Sequence, residues 1–454
     1  MLHPPYFSRV LFSLMLELRS DEPTLLDQLD RVDLVRRVGD LIAGCEMPHV
    51  FGVHGDWGAG KTSFLHQIQL YLTGECPQMP ALPKDPGTAV FATRPKVAVT
   101  VVWFEAWRYQ HEAAPVVALL QEIRSQLSWG AKLAKKAAKV GEVAIRSALL
   151  AMEDLTKKIY VQASKIQEVG DAWERNNLAV TLPSHVIRDH LQAEISTLLG
   201  GRDDARLVVI VDDLDRCASD AAYRLLEGIK IYLNLPSCVF VLGMNQKVIE
   251  DAIMSHLPKS DGPPSDFRAR EYLEKLCQTI VHLPIVREPA KLLDSYLQGV
   301  EQKQQVLDVV RTKRPLPANP RKIKAFANIV RRSSERLANA VAGSADKVRT
   351  ANVFVVVAVI YYFHPDIFRV MEAELKFYEE IRRWAAGNAT GYEMLHRLRL
   401  PNPPQGAPVN PADQPSLGET YLDPGEPTTF RAQKLVIDLG PVTTTEIEQA
   451  IGLL

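Results

Sequence analysis

The chain has 454 residues, more than one hydrophobic core usually organises, so two or three domains are expected. Its 53 basic and 54 acidic side chains nearly cancel, which excludes a globally basic nucleic-acid binder and a polyanionic disordered chain. Five cysteines, Cys45, Cys76, Cys217, Cys238 and Cys277, are too scattered for a disulfide scaffold or a zinc pattern, and a reducing cytoplasm is the expected home.

Residues 1–28 begin with an apolar patch that lacks a clean basic head and a small-residue cleavage site, so they read as a docked segment rather than a signal peptide. From Asp30 to Ala43 apolar residues recur at helical spacing, and Gly44 is placed to end that helix. Val50 to Val53 reads as a short buried strand. It runs into Gly55, Asp56, Trp57, Gly58, Ala59, Gly60, Lys61 and Thr62, a full match to the phosphate-binding pattern G-x-x-x-x-G-K-[ST], followed by Ser63 and a helix to Thr73. Closely spaced glycines let successive N–H groups converge, and the helix N-terminus adds its dipole, so this stretch is expected to cradle the phosphates of ATP. In that arrangement Lys61 reaches the β- and γ-phosphates and Thr62 offers its hydroxyl to Mg²⁺.

Thr73 to Ala92 is rich in proline and glycine and reads as a surface connection. Lys96 to Phe104 is a β-rich run, and the Glu105 and Arg108 that follow have no role assignable from spacing, while Trp103 and Trp107 are read as packing residues. Pro115 to Leu127 has helical periodicity. The alanine- and lysine-rich stretch 128–176 is read as a charged helical insert, too interrupted by charge to span a bilayer, and Pro183 to Leu199 as an amphipathic helix.

Leu207 to Val211 is an apolar strand that delivers Asp212 and Asp213 at its C-terminal end. Phosphoryl transfer needs one carboxylate for the hydrated metal and another for the attacking water. Asp212 is assigned to metal and Asp213 to water, with Asp215 competing for the second role. Arg216 reads either as a phosphate contact or as a partner of these carboxylates. Ser237 to Gly243 is a further strand ending at Asn245, which reads either as a γ-phosphate sensor or as a helix cap.

The ordered motifs GDWGAGKTSF, VVWFEAWRY, VVIVDDLDRC, REYLEKLCQTIVHLP and NPRKIKAFANIV together resemble the KAP family of P-loop NTPases over Gly55 to Val330. The resemblance implies an α/β fold, an additional-strand P-loop NTPase with a parallel sheet core and a C-terminal helical region. It implies Mg²⁺-dependent ATP hydrolysis and makes Arg321 of the NPR motif a nucleotide sensor. Many members carry transmembrane helices where this chain has its charged insert, so a member without membrane spans is implied. Some bacterial members resemble antiphage or plasmid-linked defence components, which makes a hetero-complex with other defence-system proteins the expected assembly and a homo-oligomer the alternative.

Asn319 to Val330 is expected to be a capped helix whose other face carries Lys322, Lys324, Arg331, Arg332 and Arg336. A solvated face and nucleic-acid backbone contact are the two readings of that basic group. Ala351 to Phe363 is an apolar run of 13 residues, short for a membrane span and read as a buried helix of a bundle. Glu372 to Trp384 reads as one more helix. Residues 401–427 hold eight prolines and read as a linker. Lys434 to Leu439 is expected to form a small strand and Thr444 to Leu453 a helix within a docking tail. The expected organisation is thus 1–28 docking segment, 29–127 and 177–285 NTPase core, 128–176 insert, 286–400 helical region, 401–427 linker and 428–454 tail.

Overall fold

The strands that read as apolar runs form the centre of a three-layer α/β unit covering Pro23–Pro284. The computed structural model describes residues 18–79, 95–112, 115–131, 204–232, 235–257, 265–386 and 431–454, with a few positions between 192 and 202. The charged insert, the proline-rich stretch, the first 17 residues and most of the expected helix at 183–199 lie outside the described residues.

In chain order the first unit contains α1 (Val32–Gly44), β1 (His49–His54), α2 (Lys61–Thr73), β2 (Val99–Glu105), α3 (Pro115–Ala131), β3 (Arg206–Asp212), α4 (Ser219–Tyr232), β4 (Cys238–Met244), α5 (Gln246–Met254), α6 (Ser265–Leu276) and β5 (Thr279–His282). The five strands lie in the order β2-β3-β4-β1-β5, and every pairing is parallel. The strand interposed between the phosphate-loop strand β1 and the acidic strand β3 is β4, the additional strand of this class of NTPase. Both faces of the sheet are covered, which is why its central strands are apolar without alternation. Leu207, Val209 and Val211 of β3 pack with helices α3 to α6, whereas Val208 and Ile210 face α1 and α2. β5 was not evident in the sequence because it is four residues long and only partly buried.

All parallel strands end on the same edge. There β1 runs into the phosphate loop, β3 ends at Asp212 and β4 at Met244, so the polar residues of three loops collect at one rim, as open α/β sheets generally arrange their ligand sites.

A second, helical unit is assembled from residues up to Glu22 and from Ile285–Leu454. It comprises α7 (Pro289–Tyr296), α8 (Lys303–Lys313), α9 (Pro320–Gly343), α10 (Lys347–Phe363), α11 (Pro365–Ala373), α12 (Phe377–Ala385), α13 (Gln433–Leu439) and α14 (Thr444–Leu453). Helix α10 is its centre: Ala351 and the run Val353 to Ile360 are buried, so the apolar stretch packs against neighbouring helices. No helix of the described residues is long and apolar enough to cross a membrane. Asn319 caps α9 by accepting the Lys322 N–H at 3.2 Å.

Two expectations in this unit are corrected. Glu372 to Trp384 is not one helix, because Glu374 is extended (φ −137°, ψ 92°) and separates α11 from α12. Lys434 to Leu439 is helical instead of a strand: Ala432, Leu435 and Val436 are the buried positions, a spacing of three and four that suits a helix packed on α12 and α10. The tail is held there by polar contacts too. Arg349 Nε bonds Glu446 Oε1 at 2.5 Å, Lys313 Nζ lies 2.5 Å from Asp438 Oδ2, and the His364 ring accepts the Arg431 N–H at 3.1 Å. Thr443 and Glu446 form a reciprocal capping box at the start of α14.

Candidate nucleotide site

Gly58 and Gly60 sit at φ 81° and 86°, a left-handed backbone that side chains resist, and this curls the loop between β1 and α2. The Ala59 N–H closes a turn on the Asp56 carbonyl at 3.0 Å, and the Gly55 N–H is pinned to the Met244 carbonyl at 3.2 Å. Ser63 Oγ accepts the Thr24 N–H at 3.1 Å. Trp57 projects from the loop and is 65% exposed.

Lys61 begins α2 with its side chain almost wholly buried. Its ammonium donates to the Gly55 carbonyl at 2.8 Å, to Asp215 Oδ2 at 3.1 Å and to the Asp56 carbonyl at 3.5 Å. The next residue, Thr62, lies beside the Asp212 carboxylate and favours its charged form, so residues from two separate motifs meet. Asp212 is 2% exposed, and its Oδ1 is buried without a hydrogen-bond partner. Burial, then the neighbouring Asp213 charge, pushes its pKa up from 3.8 to about 6, against the Thr62 hydroxyl, the Asp213 N–H and Lys61. A carboxylate oxygen buried without a partner beside a threonine hydroxyl fits Mg²⁺, which takes few protein ligands and completes its shell with water and phosphate. Among the described residues no cluster of three His, Cys, Asp or Glu ligands competes for that role.

Asp213 follows the strand in a left-handed conformation, φ 56°, and the chain turns at once into a 3₁₀ turn, Leu214–Arg216. Asp213 Oδ1 pairs with Arg216 Nε at 2.9 Å, as the carboxylate-partner reading of Arg216 expects. Asn245 is the N-cap of α5, accepting from Lys247 and Val248 N–H groups, and its amide also reaches Asp56 Oδ1 at 3.3 Å. Glu105 stands in register with Asp212 across β2 and β3 and pairs with Arg108 at 2.5 Å. Trp103 is a core residue stacked on His66 at 4.0 Å, whereas Trp107, expected to pack, is half exposed because it lies on the turn beyond the strand end.

Arg321 belongs to the helical unit, where its Nε pairs with Asp21 at 2.6 Å. The basic side chains around it are also engaged within that unit. Lys324 lies over the Tyr296 ring, Arg331 donates to the Tyr296 and Gln298 carbonyls, Arg332 lies over Tyr361, and Arg336 donates to the Gly452 and Leu454 carbonyls.

Three residues of the nucleotide site had little signal in the sequence. Arg31, 3% exposed, donates to the Ala59 carbonyl at 2.8 Å and to the Pro284 carbonyl at 2.5 Å, bracing the loop from below, and burial lowers its pKa to about 10. His54 ends β1 and its Nδ1 accepts the Gln246 N–H at 2.9 Å, while burial and His282 lower its pKa. Gly243 on β4 leaves room for the Asp212 carboxylate: a Cβ there would stand 2.9 Å from Asp212 Oδ1 and 2.7 Å from a Leu65 methyl. A glycine inside an otherwise apolar strand was the available clue.

The model of the KAP family P-loop domain matches residues 34–336. Among curated proteins the chain is similar to the phage T7 exclusion protein of Escherichia coli (strain K12), 26% identical over 256 residues. That match covers 53% of this chain and 30% of the relative's length.

Proposed function

Because the chain belongs to the KAP family of P-loop NTPases, we propose that it binds ATP with Mg²⁺ and hydrolyses it to drive a conformational change that regulates a partner. The observation that carries this reading is the meeting of Thr62 with the buried, half-orphaned carboxylate of Asp212, beside Lys61 on a loop curled by Gly58 and Gly60. Thr62 and Asp212 would hold the metal, which supplies charge neutralisation at the β- and γ-phosphate oxygens. Lys61 donates to the same phosphates, and the N-terminus of α2 adds backbone donors. Asp213 takes the proton of the attacking water as its oxygen bonds the γ-phosphorus and the bond to the bridging oxygen breaks, releasing ADP and phosphate. Asn245 contacts the γ-phosphate through an amide that already lies against the loop.

One observation favours a second reading. Asp213 is engaged by Arg216, and a carboxylate held in an ion pair is a poor proton acceptor. A nucleotide-controlled scaffold with little turnover follows if that pair persists. Multiple-turnover hydrolysis by the wild type, reduced about 100-fold or more in Asp213→Asn with ATP affinity retained, supports the enzyme. ATP-dependent association without turnover supports the scaffold.

The similarity to a protein named for phage T7 exclusion supports a role in antiphage defence; a cytoplasmic location and a hetero-complex of defence proteins complete the proposal. The engagement of Lys324, Arg331, Arg332 and Arg336 inside the helical unit weighs against a nucleic-acid-stimulated motor. Native mass spectrometry of complexes from the natural host, with and without nucleotide, tests the assembly. Recovery of only monomer or homo-oligomer in both conditions rejects the hetero-complex.

A further inference from the structure

We propose that Asp215 is a built-in competitor for the nucleotide phosphates, the counter-ion of Lys61 when no nucleotide is bound, and that phosphate enters by exchange with it. The inference rests on the nucleotide-binding reading and assigns Asp215 a part in it other than water activation.

A lysine ammonium has three N–H donors. In this site all three have acceptors: the carbonyls of Gly55 and Asp56 and the carboxylate of Asp215. A phosphate oxygen can bond Lys61 only by taking the place of one of them. The two carbonyls belong to the loop itself, whose curl is fixed by Gly58, Gly60 and the Asp56–Ala59 turn, so they cannot turn away without dismantling the cradle. Asp215 is the acceptor on a rotatable side chain. Its charge also has the sign of the ligand, and both Lys61 and Asp215 are only 7% exposed, where water screens that repulsion poorly. The carboxylate is therefore the group that yields. Asp215 occupies the turn directly after Asp213, so its release by Lys61 transmits occupancy of the phosphate loop to the end of the acidic strand.

The competitor predicts a gain where removal of a binding residue predicts a loss. Asp215→Asn keeps shape and one acceptor but removes the charge, and is expected to bind ADP without Mg²⁺, and a non-hydrolysable ATP analogue with it, about tenfold or more tighter than wild type. Asp215→Glu retains the charge and should stay within about threefold. The affinities are read by isothermal titration on the full chain, with circular dichroism to establish folding; Asp215→Ser replaces the asparagine variant if that variant does not fold. Equal or weaker affinity in the folded neutral variant overturns the exchange. Unchanged affinity with lost turnover returns Asp215 to the water-activating role. Failure of the wild type itself to bind either nucleotide sinks the nucleotide reading, a result distinguishable from failure of the exchange alone.

Discussion

Replacing Asp212 by asparagine should make the protein more stable without nucleotide while weakening the proposed Mg²⁺ site. The carboxylate is buried on the last residue of β3 with one oxygen unpartnered, and its pKa rises from 3.8 to about 6 on folding. Between those values the native state keeps a proton that the unfolded chain has released. Stability therefore falls as pH rises from about 4 to about 6 and stays lowered above that, a cost of about 3 kcal/mol at neutral pH at 1.36 kcal/mol per unit. Asparagine has the same shape and no charge to desolvate. Allowing for a weaker interaction with the neighbouring Thr62, Asp212→Asn should gain about 2 kcal/mol at pH 7.5 and close to nothing at pH 4. Urea denaturation of both proteins at the two pH values, without nucleotide or metal, measures the difference. A second set with MgATP should show the wild type gaining much more from the ligand than the variant. An Asp212→Asn protein that is less stable than wild type at pH 7.5, with an unchanged denaturant slope, would refute the claim that Asp212 is an unrelieved buried charge.

Lys61→Ala should abolish measurable ATP binding by calorimetry and also destabilise the empty protein by about 3 kcal/mol, because it strands Asp215 as a buried charge. Adding Asp215→Asn to it should recover much of that loss in denaturant melts, and additive losses would contradict the pairing. Gly243→Ala should cost about 1–3 kcal/mol by thermal melting and weaken the Mg²⁺ dependence of nucleotide binding, since the new methyl crowds Asp212 Oδ1 and Leu65. His66, stacked on Trp103 and lowered by burial to about 4, is neutral when folded but charges in the unfolded chain below about pH 6.5. Its contribution is full above that pH and lost toward pH 4, so the stability difference between wild type and His66→Gln should shrink by about 2–3 kcal/mol across this window. A pH-independent difference would show that the ring titrates normally.

The location of the candidate site was legible where it is written in adjacent residues. Gly55 to Thr62 and the apolar run ending at Asp212 are local patterns, and the sheet does what those patterns require: parallel strands bring both to one edge. The additional strand was legible too, because seven fully buried residues read as an uninterrupted apolar word. What local pattern could not show is what each polar group bonds to. The Lys61–Asp215 pair joins residues 154 positions apart, and Arg31 reaches Pro284 across 253. Those partners depend on strand order, which no window of sequence contains. The tail helix at 433–439 was missed for a different reason: a seven-residue element barely shows a period, and its apolar residues satisfy either geometry until the helices that cover them are known.

The division of the chain has a consequence for its synthesis. The NTPase unit is one continuous stretch, Pro23–Pro284, whereas the helical unit draws on residues before Glu22 and on everything after Ile285. As the polypeptide leaves the ribosome, the sheet can close as soon as β5 has emerged, since its pairings involve only strands already made. The helical unit must wait. Residues 18–22 lie along α9, with the Asn328 side chain bonding both the N–H and the carbonyl of Arg19, and the buried wall of α10 is completed only by α13 and α14. Until residues 431–454 are translated, the apolar run from Val353 to Ile360 lacks part of its cover and is the segment most open to chaperones and to aggregation. Nascent chains arrested before Gln433 should thus hold a finished nucleotide domain tethered to an unfinished bundle, separable by limited proteolysis near residue 285.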